Sequence, residues 1–142
     1  MAYMNQERKN ERAPTIKAIL KKYGMKGSIS VQNYSTLVVT LKEGKIDLIG
    51  NANKYNEKRA EYDGRDAYTV DGYYQVNQYY AAEHARFIDE ETEATFFEEL
   101  TAAMYGSDYY NNSDAMTDYF DTSHYININV GKWNKNYEFT GA

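Results

Sequence analysis

The hydrophobic residues of this chain change period along its length, and those changes restrict the folds it can adopt. Ile16, Ile19, Leu20 and Tyr23 recur at i, i+3, i+4 and i+7, one apolar stripe on a helix. Pro14 suits the first turn, where a missing N–H does no harm, and Gly24 suits the position past the last turn. A helix is therefore predicted over 14–23. The stretch before it is helical too, either continuous with a bend at Pro14 or as a separate or mobile helix within residues 1–13. The pattern then switches to period two. Ile29 and Val31 alternate with Ser28, Ser30 and Gln32, and Leu37, Val39 and Leu41 alternate with Thr36, Val38 and Thr40. Asn33 and Tyr34 form the turn of this β-hairpin. Glu43 and Gly44 mark a second turn, after which Ile46, Leu48 and Ile49 read as a short third strand or return segment.

Residues 50–75 are rich in Asn, Asp and Gly and read as a long irregular loop, with Asp63–Gly64 and Asp71–Gly72 as candidate tight turns. Helical periodicity returns over 77–87 and 91–105. In the second of these Phe97, Leu100 and Met104 form the stripe, and Asp89, Glu90, Glu91 and Glu93 sit where the positive end of the helix dipole favours acids. A final hairpin is predicted from 117–120 and 125–130, with Ile126, Ile128 and Val130 on its apolar side. Blocks of strands and helices without βαβ alternation indicate a single α+β domain over 1–142: an antiparallel sheet from two hairpins, with helices on one face.

Charge divides the same chain differently. Residues 1–50 carry nine Lys/Arg against four acids, net +5, whereas residues 51–142 carry seven against seventeen, net −10. Between Ala60 and Thr122 there are fifteen acids and two bases, Arg65 and Arg86. Such a chain can hold a strong local field while its total of −5 looks modest. Sixteen Tyr against five Phe and one Trp add amphipathic contact area. At least one member of each pair Tyr73–Tyr74, Tyr79–Tyr80 and Tyr109–Tyr110 is expected at the surface, because adjacent side chains diverge in any regular element.

The sequence displays no reaction centre. There is no Cys, so disulfides, thiolate metal sites and Cys nucleophiles are excluded. His84 and His124 stand forty residues apart with no third ligand at a metal-site spacing. Asp114, Asp118 and Asp121 do not follow the calcium-loop pattern. GMKGS has the glycines of a phosphate loop but leads into a strand, not a helix. No metal and no cofactor is expected. No apolar run approaches the ~20 residues of a membrane helix, and the polar N-terminus lacks a signal peptide's apolar stretch, so a soluble protein of a reducing cytoplasm is expected.

Two segments carry a resemblance. PTIKAILKKYGMKGSISVQNYSTLVVTLKEGKIDLI resembles a helix-plus-hairpin unit of a large polyvalent protein-associated domain of phages and conjugative elements. NNSDAMTDYFDTSHYININVGKWNKNYEF is similar to the end of small stand-alone phage proteins. The resemblance implies a phage or mobile-element accessory protein in the bacterial host cytoplasm, of the kind that modulates host defence or nucleic-acid-processing machinery. It brings no catalytic residues with it.

Three functional readings follow. In the first, a non-enzymatic protein docks a basic or nucleic-acid-binding host protein through Asp89, Glu90, Glu91, Glu98, Glu99, Asp114 and Asp118, with Tyr109, Tyr110 and Trp133 as contacts. In the second, Lys17, Lys21 and Lys22, extended by Arg8, Lys9 and Arg12, meet a nucleic-acid backbone directly. In the third, a nucleotide- or metal-binding enzyme has its site in the 50–75 loop. A homodimer is compatible with each.

Overall fold

Asn5 begins the first helix: its side-chain oxygen accepts from the Arg8 N–H at 2.8 Å, satisfying one of the free donors of the opening turn. The computed structural model describes residues 2–111 and 122–141. Helix α1 spans Gln6–Lys22 without interruption and carries Pro14 inside it. Pro14 is exposed, so the carbonyl it leaves unbonded on the preceding turn lies at the solvent side. Arg12, Ile16 and Leu20 make the buried line of α1, one turn apart, and the predicted stripe is the face that packs.

Strands β1 (Met25–Gln32) and β2 (Thr36–Gly44) form the expected antiparallel hairpin. Its turn places both Asn33 and Tyr34 at positive φ, 56° and 55°, the geometry whose twist suits a hairpin. Helix α2 follows at Leu48–Asp63, then β3 (Tyr74–Val76), α3 (Ala81–Phe87), α4 (Glu91–Tyr105), β4 (Tyr125–Val130) and β5 (Glu138–Phe139). The sheet order is β1-β2-β4-β3, with β5 beside the end of β2. Helices pack against this sheet, and the fold is α+β.

The sheet is mixed rather than antiparallel throughout. β4 lies parallel to β2, pairing Leu37 with Ile126, Val39 with Ile128 and Leu41 with Val130, and its antiparallel neighbour is β3. The 117–120 strand expected to pair with β4 lies outside the described residues. Alternation on β2 and β4 puts these six residues on one face, at most 2 % exposed, against Ile16, Phe96, Leu100 and Met104 from the helices. The opposite face presents Ser28, Ser30, Asn127 and Asn129.

Several sequence expectations fail in the middle of the chain. Leu48 and Ile49 begin a helix, not a strand, because Asp47 caps it, its carboxylate accepting from the Gly50 N–H at 3.0 Å. Most of the 50–75 stretch is therefore helical. Asp63–Gly64 does not close a hairpin; Gly64 is the left-handed C-cap of α2, at φ 68°. The 77–87 helix starts only at Ala81, after a turn in which the Asn77 side chain accepts from the Tyr79 N–H. Helix α4 has the predicted bounds and ends at Gly106.

A candidate polyanion site at the lysine end of the sheet

Parallel pairing brings the C-terminal ends of β2 and β4 to the same end of the sheet. The start of β1 is there too, since Met25 pairs with Gly44 and Lys26 with Glu43. The last turns of α1 descend onto this end, and β5 pairs with Glu43 and Gly44. A cleft of about 630 Å³ opens between them, bordered by Lys17, Lys21, Lys26 and Lys45, with Glu43 the acid on its rim and Thr140 closing one side. Its base is backbone and apolar surface from Leu20 and Met25. Gly24 at φ 69° makes the close approach possible: a Cβ there would lie 2.7 Å from the Lys45 side chain.

Lys17, Lys21 and Lys45 have no ion-pair partner among the described residues; Lys26 leans on Glu43 at 3.9 Å. Lys42, Lys132 and Lys135 are exposed on the segments leading into and out of this end. Trp133, 80 % exposed, stands in the turn closed by the Lys132–Lys135 pairing, and Phe139 is half exposed nearby on β5. A phosphate chain can use such an arrangement: four cations against the single acid Glu43, with Trp133 and Phe139 exposed on the segments beyond the cleft. The negative C-terminal dipole of α1 holds Lys21 favourably but disfavours an anion at the helix end itself, so the lysine side chains must carry the contact.

Other bases are committed elsewhere. Lys22 turns away from the cleft to Glu99 at 2.8 Å, and the Tyr23 hydroxyl donates to the same carboxylate. Hydrogen bonds from Lys22 and Tyr23 hold the Glu99 carboxyl below its ordinary pKa, and Glu99 in turn raises that of Lys22. Arg8 and Arg12 do not extend the basic face. Arg12, 5 % exposed, donates to the Tyr105 and Arg8 carbonyls and pairs with Asp108. Arg8 donates to the Ser123 hydroxyl at 2.8 Å, and Ser123 lies 3.0 Å from Nδ1 of the fully buried His124, whose Nε2 meets the Met104 carbonyl. His124 is thus a core residue.

The acids of the docking reading are engaged as well. Arg86 forks to Glu91 and Glu98, at 3.0 and 2.7 Å in its shortest contacts, and its hydrogen bond lowers the Glu98 pKa. Lys54 holds Glu90 at 2.9 Å. Asp89 sits at positive φ, 60°, in the turn between α3 and α4. Tyr109 packs on His124 and Tyr105, while Tyr110 is half exposed. Asp114 and Asp118 lie outside the described residues. Tyr73, Tyr79 and Tyr80 are exposed, as their doublets required. Among the described residues no cluster of three His, Cys, Asp or Glu is placed to hold a metal, and no helix is long and apolar enough to cross a membrane.

Lys26, Lys45 and Thr140 do not stand out in the sequence. Their signal was the hairpin register, which sets the Lys42–Lys45 end of β2 against Lys26. No family model, curated protein or solved structure matches the chain.

Proposed function

We propose that the protein is a non-enzymatic binding module that takes a nucleic-acid phosphate backbone across its lysine end. One observation carries this reading. Lys17, Lys21, Lys26 and Lys45 border one cleft, three of them without an acid partner, while Lys22, Lys54, Lys58 and Arg86 sit in ion pairs or hydrogen bonds elsewhere. An acidic chain that leaves these cations free keeps a local positive field inside a net charge of −5. Trp133 and Phe139 would add stacking for unpaired bases. Docking of a basic host protein on α4 has less support, since such a partner would have to displace Arg86, Lys22 and Lys54 from the carboxylates it needs.

Fluorescence anisotropy with labelled single- and double-stranded DNA and RNA tests this across a salt series. The expected result is binding whose log affinity falls linearly with log salt, by about 0.9 per phosphate contact on a duplex. Trp133→Ala is expected to weaken single-strand binding by about tenfold and duplex binding much less. Absence of binding at low salt to every nucleic acid would remove the reading.

A further inference from the structure

A second cavity lies between α2, α3, β3 and α4, about 200 Å³ in volume, and Glu93 lines it together with Asn51, Tyr55, Val76, His84 and Phe97. Glu93 stands on the buried face of α4, one turn before Phe97, and is 7 % exposed. One carboxyl oxygen accepts from the Asn51 amide at 3.3 Å. The other has no protein donor among the described residues. That oxygen is not sealed from solvent, so an ionised Glu93 is left to water or to a cation entering the cavity, since no described residue offers it a further donor. Lys54, the nearest base, is held by Glu90 at 2.9 Å.

We propose that this cavity binds a small organic cation, a primary ammonium or an amidinium, with the Glu93 carboxylate as its counter-ion and the Tyr55–His84 stack as its wall. The surroundings select for positive charge. Asp47, ahead of α2, and Glu90, ahead of α4, add negative potential at Glu93, and Lys54 only partly opposes it. Tyr74 on β3 and Tyr137 also face Glu93, and burial keeps both phenols protonated. Burial lowers the pKa of His84 on α3, so that ring stays neutral and does not repel a cation. Tyr55 and His84 stack on each other with centroids 4.1 Å apart, and Tyr80 lies parallel to His84, so a cation or a planar amidinium meets the edges or the outer face of this stack. The volume is below that of drug-sized sites and suits a fragment-sized ligand. An anion is excluded by the same field, so this site is distinct in chemistry from the lysine cleft and does not depend on it.

Desolvation pushes the Glu93 carboxyl up to about 7, against the opposing effect of the Asn51 hydrogen bond. Proton and cation then compete for one carboxylate. Calorimetric titration with benzamidinium and n-butylammonium, and with neutral benzamide as control, tests the proposal on the full chain. On the alkaline side of the Glu93 titration the cations are expected to bind with proton release small, and benzamide not to bind. On the acid side the affinity is expected to fall about tenfold per pH unit, with one proton released per cation bound. Glu93→Gln, nearly isosteric, is expected to abolish cation binding and its pH dependence. Ala52→Leu, which narrows the cavity while leaving Glu93 in place, is expected to weaken binding with the pH profile retained. Equal binding of benzamide, cation binding that survives Glu93→Gln, or no heat and no melting shift with any cation would each overturn the proposal.

Discussion

At the lysine end of the sheet Lys17, Lys21 and Lys45 stand without acids beside them, whereas on α3 and α4 Glu90, Glu91, Glu98 and Glu99 each hold a cation. The two regions are the structural remains of one charge split along the chain. Counting charges makes the acidic half look stronger, at −10 against +5. Pairing changes the picture locally: those four acids carry counter-cations and the three lysines do not. Exposed ion pairs contribute little stability, but they cancel much of the field a partner would feel. The difference teaches that a block of like charge marks a docking surface only where the fold withholds counter-charges from it.

Four measurements can break or sharpen this contrast, and the largest effect belongs to the unpaired side. Reversing Lys17, Lys21 and Lys45 to Glu together is expected to cost about a thousandfold in affinity for nucleic acid at low salt, roughly tenfold per contact. Stability should change by no more than about 1 kcal/mol, because all three are exposed and unpaired and only the Lys45 stem lies against Gly24. A large fall in melting temperature would mean that these lysines hold the fold and not a ligand.

Arg12→Ala is expected to do the reverse. It opens a space under Gly106 and leaves the Tyr105 carbonyl without its side-chain donor, a loss of about 3 kcal/mol in denaturant unfolding. Affinity for nucleic acid should be unchanged, since Arg12 faces α4 and Asp108. A drop in affinity without a drop in stability would return Arg12 to the basic face.

The pH dependence of stability isolates Glu93. Its folded pKa lies near 7 against an ordinary 4.5, so the folded protein keeps a proton that the unfolded chain releases. Stability from this group is present below the ordinary value and declines as pH rises through that window. Relative to the wild type, Glu93→Gln should therefore gain stability between pH 4.5 and 7, by about 3 kcal/mol. His84 and His124, whose pKa values burial lowers, favour the fold as pH rises toward their ordinary value. They act alike in both proteins and cancel in the difference. A flat difference curve would place the Glu93 titration elsewhere.

The smallest effect is expected at the paired acids. Arg86→Ala should cost less than about 1 kcal/mol, because Arg86, Glu91 and Glu98 are all exposed. It should also expose a negative field on α4, detectable as new, salt-sensitive binding of a basic peptide such as polylysine. Polylysine binding already strong in the wild type would show that the pairs do not mask the acids.

Where side-chain period and burial agree, the sequence reads well. Ile16 to Tyr23, the β1–β2 hairpin and the stripe Phe97, Leu100, Met104 are all apolar on the face they bury, so period alone places them. Helix α2 is not legible because its buried line is Leu48, Asn51 and Ala60, with a polar residue where a stripe should show. The Asn and Gly content that suggests a loop is a cap and a hydrogen-bonded core contact instead. The parallel pairing of β2 with β4 is invisible for another reason: strand order follows from long-range packing, which no local pattern records. Lys17 and Lys21 were legible as a basic helix face; that Lys22 pairs with Glu99 and that Lys26 and Lys45 join the cleft depends on register. Glu93 hid among acids that suit a helix start, although its spacing to Phe97 and Leu100 places it on the buried stripe.

The central claim is that the free lysines at one end of the sheet, and not the acids of α4, meet the partner. Backbone amide chemical-shift mapping during titration with a short single-stranded oligonucleotide tests it most directly. Shifts are expected at Lys17, Lys21, Gly24, Lys26, Lys45 and Thr140, with Glu91, Glu98 and Glu99 unmoved. Shifts centred on α3 and α4, or none at any of the cleft residues at saturation, would contradict it.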